Sequence, residues 1–244
     1  MSTGVFGQSA PSVRAFEVAS VKPHEGPMPR IGVSVSGSRL NAEASTVLGL
    51  IMWAYNLKNR QISTGTAFSA VGDTSYDVVA KAEGDGIPTR DEFRQMLQSL
   101  LADRFKLKVH SEMREMPVYE LVVGKNGPKF KESAPDADAT GHVGVNGRNY
   151  QLTLPKATMS ELIDMLENAG FLGRPALDKT GLTGTYDIKL TYTPDIRSNR
   201  ESEPDLGDIP IVMAVQEQLG LRLDAQKAMI AILVVDHVEK PSGN

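Results

Sequence analysis

An ordered set of landmarks occurs twice along this chain, and a repeat constrains the fold more than any single motif does. The first run reads LNAEASTVLGLIMWAYNL, QISTG, TSYDVVAKAE, FRQMLQSLLADRFKLKVHSE and MPVYELVV. The second reads LTLPKATMSELIDMLENA, LDKTG, GTYDIKLTYT, IVMAVQEQLGLRLDAQK and MIAILVVDHVEKP. Thr64-Gly65 matches Thr180-Gly181, Tyr76-Asp77 matches Tyr186-Asp187, and Phe105 to Val109 matches Leu219 to Leu223. Each run is expected to be one structural unit, so packing explains most of its polar and apolar pattern before any chemistry is invoked.

Within the first run, Leu48, Ile51, Met52 and Tyr55 recur at helical spacing, and Phe93, Met96, Leu97, Leu100 and Leu101 do so again. Thr89 followed by Glu92, and Thr158 followed by Glu161, are capping boxes that satisfy the free N–H groups of a helix start. Gly220 closes the last helix, because glycine tolerates the left-handed cap. Tyr186, Ile188, Leu190 and Tyr192 alternate with Asp187, Lys189 and Thr191, the mark of a strand with one buried face. The 105–111 and 116–123 segments read as two strands joined by a charged hairpin turn, and 222–227 with 230–237 reads as a closing hairpin. VASVKP near the start echoes VDHVEKP at the end, which suggests that the two pair or occupy equivalent edges.

The expected fold is α+β: two duplicated β-α-β-β-α-β-β units with helices packed on largely antiparallel sheets. The expected division is a terminal strand and irregular segment (1–38), a first unit (39–124), a Gly/Pro-rich linker (125–148) and a second unit (149–244).

Composition narrows the function classes. A net charge of -4 with interspersed acid and base provides no field for nucleic acid, and the one tryptophan, Trp53, falls in a helix rather than on a stacking platform. The absence of cysteine excludes disulfides, thiolate metal sites and cysteine nucleophiles. No apolar run approaches the ~20 residues of a bilayer span, so no transmembrane segment is expected. The opening residues, Met1 to Ser12, fit either the tail of a trimmed signal peptide or a loose terminus.

The order of FEVASVKP, LQSLLADRFKLKVHSEMREMPVYELVV, GRPALDKTGLTGTYDIKLTYTPD and VQEQLGLRLDAQKAMIAILVVDHVEKPS resembles an uncharacterised, soil-associated family of exported proteins. The resemblance implies a periplasmic or secreted location. It transfers no catalytic residue, since the family carries no established activity. Fusion of related domains to membrane metallopeptidases of the antibiotic-sensor type would associate them with sensing or binding. Ala67-Phe68 stands where many members have Pro-Trp, so a site built on that tryptophan would be altered here. The order of elements is also similar to the short N-terminal domains of secretins and TonB-dependent receptors, which bind protein partners.

Several residues could carry chemistry. The 178–187 segment, DKTGLTGTYD, could hold a small polar or anionic ligand through backbone N–H groups and the side chains of Asp178, Lys179, Thr180, Tyr186 and Asp187. The same letters also spell turn chemistry, with Gly181 and Gly184 at positive φ and Asp178 and Thr180 bonding back to the chain. Asp77 and Asp187 could form a pair serving as acid and base or as metal ligands, or could simply be the solvent-side residues of two strands. Of the histidines His24, His110, His142 and His237, His110 lies on one strand face with Glu112, a pair of divalent-metal ligands if His237 joins them. Glu201, Glu203, Asp205 and Asp208 in the 195–208 loop offer oxygen donors without EF-hand spacing. GxSxG and phosphate-loop signatures are missing.

The residues point first to an exported module that binds a small polar ligand or a protein partner, with no cofactor predicted. Its ligand would sit by the 178–187, 124–149 and 195–208 loops. The alternative is a hydrolase of esters, lactones or phosphoesters using Asp178, Lys179, His110 and His237, in which a divalent metal could take part.

Overall fold

The computed structural model describes residues 14–26, 32–136, 140–168, 172–193 and 210–241. In chain order the elements are β1 (Phe16–Pro23), β2 (Gly32–Ser36), β3 (Arg39–Thr46), α1 (Val47–Tyr55), β4 (Ile62–Ser63), β5 (Ser75–Ala82), α2 (Arg90–Arg104) and β6 (Lys108–Val123). There follow β7 (Lys131–Glu132), β8 (His142–Asn146), β9 (Asn149–Ala157), α3 (Met159–Asn168), β10 (Ala176–Asp178), β11 (Tyr186–Tyr192), α4 (Ile211–Leu219) and β12 (Leu221–His237). This is a mixed α/β structure with two antiparallel sheets and a third that includes parallel pairings. It divides into two compact units, one from residues 1–114 and 230–244, the other from residues 115–229.

Unit one is organised by a sheet of order β1-β5-β3-β2. Along β5, Tyr76, Val78, Ala80 and Ala82 are buried while Val79 is exposed, the alternation that a one-sided core requires. Thr89 and Glu92 form the expected capping box on α2, and Phe93, Met96, Leu97, Leu100 and Leu101 are its buried face. Helix α1 packs against α2 and β3. Phe105, which ends α2, is fully buried and meets Tyr76 edge-on at 5.2 Å between ring centroids. Aromatic pairs prefer this geometry.

Unit two is organised by a sheet of order β7-β11-β9-β8. Thr158 and Glu161 cap α3 reciprocally, through Thr158 N–H to Glu161 Oε2 (2.8 Å) and Glu161 N–H to Thr158 Oγ1 (3.2 Å). Leu152, Leu162, Leu166, Ile188, Leu190, Val215, Leu219 and Leu221 fill its core. Gly220 ends α4 at φ 66°, and a Cβ there would stand 2.2 Å from the carbonyl oxygen of Gly127. Here glycine is required by both conformation and space.

Two sequence expectations are corrected. No hairpin turn interrupts 108–123 or 221–237, because β6 and β12 are single strands of 16 and 17 residues. At 112–115 the charged letters suit a turn as well as a strand, and in extended chain, where residues two apart share a face, Glu112 pairs with Arg114 on β6. The same spacing pairs Arg222 with Asp224 on β12. VASVKP and VDHVEKP also do not pair. The first belongs to β1, which pairs with β5, and the second ends in β12, which lies between β6 and β4.

The units divide the chain within these two long strands, so residues 230–237 of β12 belong to unit one and residues 115–123 of β6 to unit two. In unit one, β4 runs parallel to β12 with Ile62 opposite Leu233. In unit two, β10 runs parallel to β6 with Ala176 opposite Tyr119. The 1–38 and 125–148 segments, expected as terminus and linker, contribute strands to the sheets: β1 and β2 in one case, β7 and β8 in the other.

Candidate functional site

The two Tyr-Asp pairs sit where a strand turns directly into a helix. In unit one, Ala42 lies opposite Val78 but Ser45 lies opposite Tyr76, so β3 carries one extra residue. That residue leaves Ala44 at φ 45°, two positions before Thr46, whose hydroxyl caps α1 by accepting from Gly49 N–H. Such a bulge lets a strand become a helix without a loop, at the cost of one N–H lost from the ladder. Asp77 supplies the partner, its Oδ1 accepting from Ala44 N–H at 2.9 Å. Tyr76 points into the core at 1% exposure, where burial raises its phenol pKa.

Unit two repeats these relations. Tyr186 lies opposite Ala157 and Ile188 opposite Leu154, Lys156 has φ 54°, and Thr158 begins α3. Asp187 Oδ1 accepts from Lys156 N–H at 3.2 Å.

A third residue completes each arrangement. In unit one the Nδ1–H of His24 donates to Asp77 at 2.9 and 3.1 Å, since an ionised carboxylate can only accept. The imidazole is nearly buried, with 9% of its side chain exposed. In unit two Ser133 Oγ donates to Asp187 at 2.6 Å and accepts from Lys156 N–H at 3.1 Å. His24 and Ser133 are held alike, by backbone bonds of 2.8 Å to Ser75 O and Thr185 O.

Electrostatics follow from these contacts. The Ala44 N–H, then His24, holds the Asp77 carboxyl below its ordinary value against the opposing effect of desolvation. Asp187 is lowered first by the Ser133 hydroxyl and then by the Lys156 N–H. Each aspartate is thus engaged inside its own unit as a backbone acceptor. Sequence reasoning found both aspartates but missed His24 as a partner, and missed Ser133, Ala44 and Lys156 altogether. His24 is 53 residues from Asp77 and Ser133 is 54 from Asp187, so no local spacing connects them.

The 178–187 segment is built as consecutive turns. Asp178 Oδ1 accepts from both the N–H and the hydroxyl of Thr180, and Thr180 Oγ1 accepts from Leu182 N–H. Gly181 has φ 71°, as its role as a turn residue requires. Gly184 differs from expectation: it is not among the positive-φ glycines. Close approach makes it necessary, because a Cβ would stand 2.8 Å from Glu132 Oε1 and 2.9 Å from the Tyr186 hydroxyl. Tyr186 OH accepts from Gly184 N–H, and its ring meets Phe130 edge-on. The Lys179 backbone N–H reaches Leu121 O.

The hydrolase candidates are distributed differently. His110 Nδ1 bonds both carboxylate oxygens of Asp236 at 2.9 Å, on a half-exposed pair of strands. Glu112 is taken by Arg114, and His237 Nε2 meets Glu239 at 2.8 Å. Among the described residues, no three His, Asp or Glu side chains converge into a group that could hold a metal. The 195–208 acidic loop and residues 1–12 lie outside the described residues. Among the described residues, no helix is long and apolar enough to cross a membrane.

The geometry defines a two-unit α/β protein in which paired aspartates hold strand-to-helix bulges. Residues 48–238 match the family described as protein of unknown function (DUF3738), and the chain belongs to that family. No curated protein and no solved structure matches it.

Proposed function

We propose that this chain is an exported binding module, made by internal duplication, that takes a small polar ligand or a protein partner and performs no catalysis of its own. The carrying observation is how the acidic side chains nominated for chemistry are used. Asp77 and Asp187 each accept a bulge N–H, and Asp178 accepts two bonds from Thr180. A carboxylate committed to backbone groups is poorly placed to move protons for a substrate. Duplication is supported by the matched relations described above: Ala44 and Lys156 at positive φ, Thr46 and Thr158 as caps, and Asp77 and Asp187 as acceptors. The ligand segment remains 178–187, whose side chains fix its shape and leave the Lys179 ammonium as the charged group to meet an anion.

A second reading rests on His110 and Asp236. A histidine held through Nδ1 by a carboxylate turns Nε2 outward, the arrangement a general base needs. One experiment separates the readings. The purified protein is screened against esters, lactones and phosphoesters with and without added divalent metals, beside a thermal-shift screen of small anions. The binding reading expects no turnover and an anion-induced rise in Tm that Lys179→Ala removes. Turnover lost in His110→Asn would replace it with the hydrolase.

A further inference from the structure

The two sheets treat their opposite edges differently. Edge strands invite pairing with other chains unless charge, proline or a bulge prevents it. Strand β1 has a register irregularity between Phe16 and Val18, the Glu17–Lys81 ion pair, and Pro23 at its end. Strand β7 is two residues long, Lys131 and Glu132. At the other edge of unit two, β8 reads HVGVN, with no acid, lysine, arginine or proline. Among the described residues, no strand pairs with its outer side.

Hairpin geometry says which groups that outer side presents. Asn146 opposite Asn149 closes a two-residue turn at Gly147 (φ 62°) and Arg148. The closing pair of such a hairpin is the hydrogen-bonded one. His142, Gly144 and Asn146 therefore bond inward to β9, and the N–H and C=O groups of Val143 and Val145 point outward. Their side chains lie on the core side of the sheet, opposite Leu152 and Tyr150, yet remain 45% and 64% exposed.

We propose that β8 is a self-association edge, where a second copy of this chain adds antiparallel to the first about Gly144. The segment is nearly palindromic, and only one register satisfies it. Val143 then faces Val145 of the other copy as a hydrogen-bonded pair, so all outward groups on both strands are used. Gly144 faces its own counterpart in the non-hydrogen-bonded position, where Cα atoms approach to about 4.5 Å and glycine fits best. The valines of both copies form one apolar patch on the same face, and no charge opposes another across the axis. An isologous contact of this kind closes at two copies. Strand β2, GVSVS, is the weaker candidate: Val33 is half-buried and Val35 is 39% exposed. The inference goes beyond the binding role above and does not depend on which ligand is bound.

A five-residue edge buries much less than the roughly 1,200 Å² of a standard interface, so the dimer should form only at high protein concentration. The test is sedimentation velocity of the full chain from low to high micromolar concentration. The wild type should rise toward twice the monomer mass. Val143→Pro removes an outward N–H that β9 does not use, and Val145→Lys places a charge in the apolar patch. Both should remain monomeric with unchanged circular dichroism, while Val35→Lys should associate like the wild type. Hydrogen exchange provides a readout that needs no variant: the amides of Val143 and Val145 should slow as concentration rises. A wild type monomeric throughout, β8 variants that associate normally, or exchange independent of concentration would overturn the proposal.

Discussion

The bulge of β3 and the bulge of β9 present the same problem with different third partners. In each, a non-glycine residue at positive φ loses its ladder bond and an aspartate on the neighbouring strand accepts its N–H. In unit one a nearly buried histidine steadies that aspartate, and in unit two a serine hydroxyl does. The aspartate and the bulge stay constant while the supporting group changes from ring to hydroxyl. The carboxylate is therefore the part the backbone needs, and His24 is one of two ways to hold it. A catalytic reading of the Tyr-Asp pairs would instead require both aspartates to face a substrate.

The largest effects should come from two buried core positions at helix ends, one in each unit. Phe105→Ala and Leu219→Ala, each at a site no more than 1% exposed, should cost about 2–5 kcal/mol in denaturant unfolding. A loss below about 1 kcal/mol at both would break the equivalence of the two helix ends. Next is the asymmetry just beyond those helices, where Lys106 (φ 52°) corresponds to Gly220 (φ 66°). Lys106→Gly should be neutral or mildly stabilising, because it removes a left-handed penalty of about 1–2 kcal/mol. Gly220→Lys should lower Tm strongly, since its Cβ would run into Gly127 O. Equal and small effects would mean that unit two can remodel this corner.

The aspartates come third. Asp77→Ala should cost about 1–2 kcal/mol by leaving the Ala44 N–H without its acceptor. Asp187→Ala should lower Tm less, because Ser133 Oγ still accepts from Lys156 N–H. A larger drop at Asp187 would reverse the assignment of supporting roles. Both carboxyls are held below their ordinary values. The stability they contribute is therefore complete above the unfolded carboxylate pKa of about 4 and is lost as pH falls below it. Asp77→Asn should accordingly differ in Tm from the wild type near neutrality and converge with it in acid. The smallest effect separates the turn from the ligand site: Gly181→Val should destabilise a position at φ 71°, while Lys179→Ala should leave Tm within the scatter of a surface change.

Much of the fold was legible because it follows from local periodicity. The alternation of Tyr186, Ile188, Leu190 and Tyr192 became β11 with Ile188, Leu190 and Tyr192 buried. The capping letters at Thr89, Thr158 and Gly220 marked helix ends, because a cap depends on residues within one turn. Charge misled at Glu112 to Glu115, where the same letters suit a turn or a strand face; in the strand Glu112 pairs with Arg114 two residues on, and Glu115 with Lys227 of β12.

Determined by the sequence alone were the helices, the caps at Thr89, Thr158 and Gly220, the alternating strands and the Tyr-Asp pairs. Each is written in residues a few positions apart, and short-range sterics and hydrogen bonding suffice to read it. Only the tertiary structure decided that β6 and β12 run unbroken through the division of the chain, and that His24 and Ser133 close the aspartate bulges. Those relations join residues more than 50 positions apart, and the free energy that selects them comes from burying whole sheets against helices. No local preference of the chain encodes which distant partner that burial brings within hydrogen-bond reach.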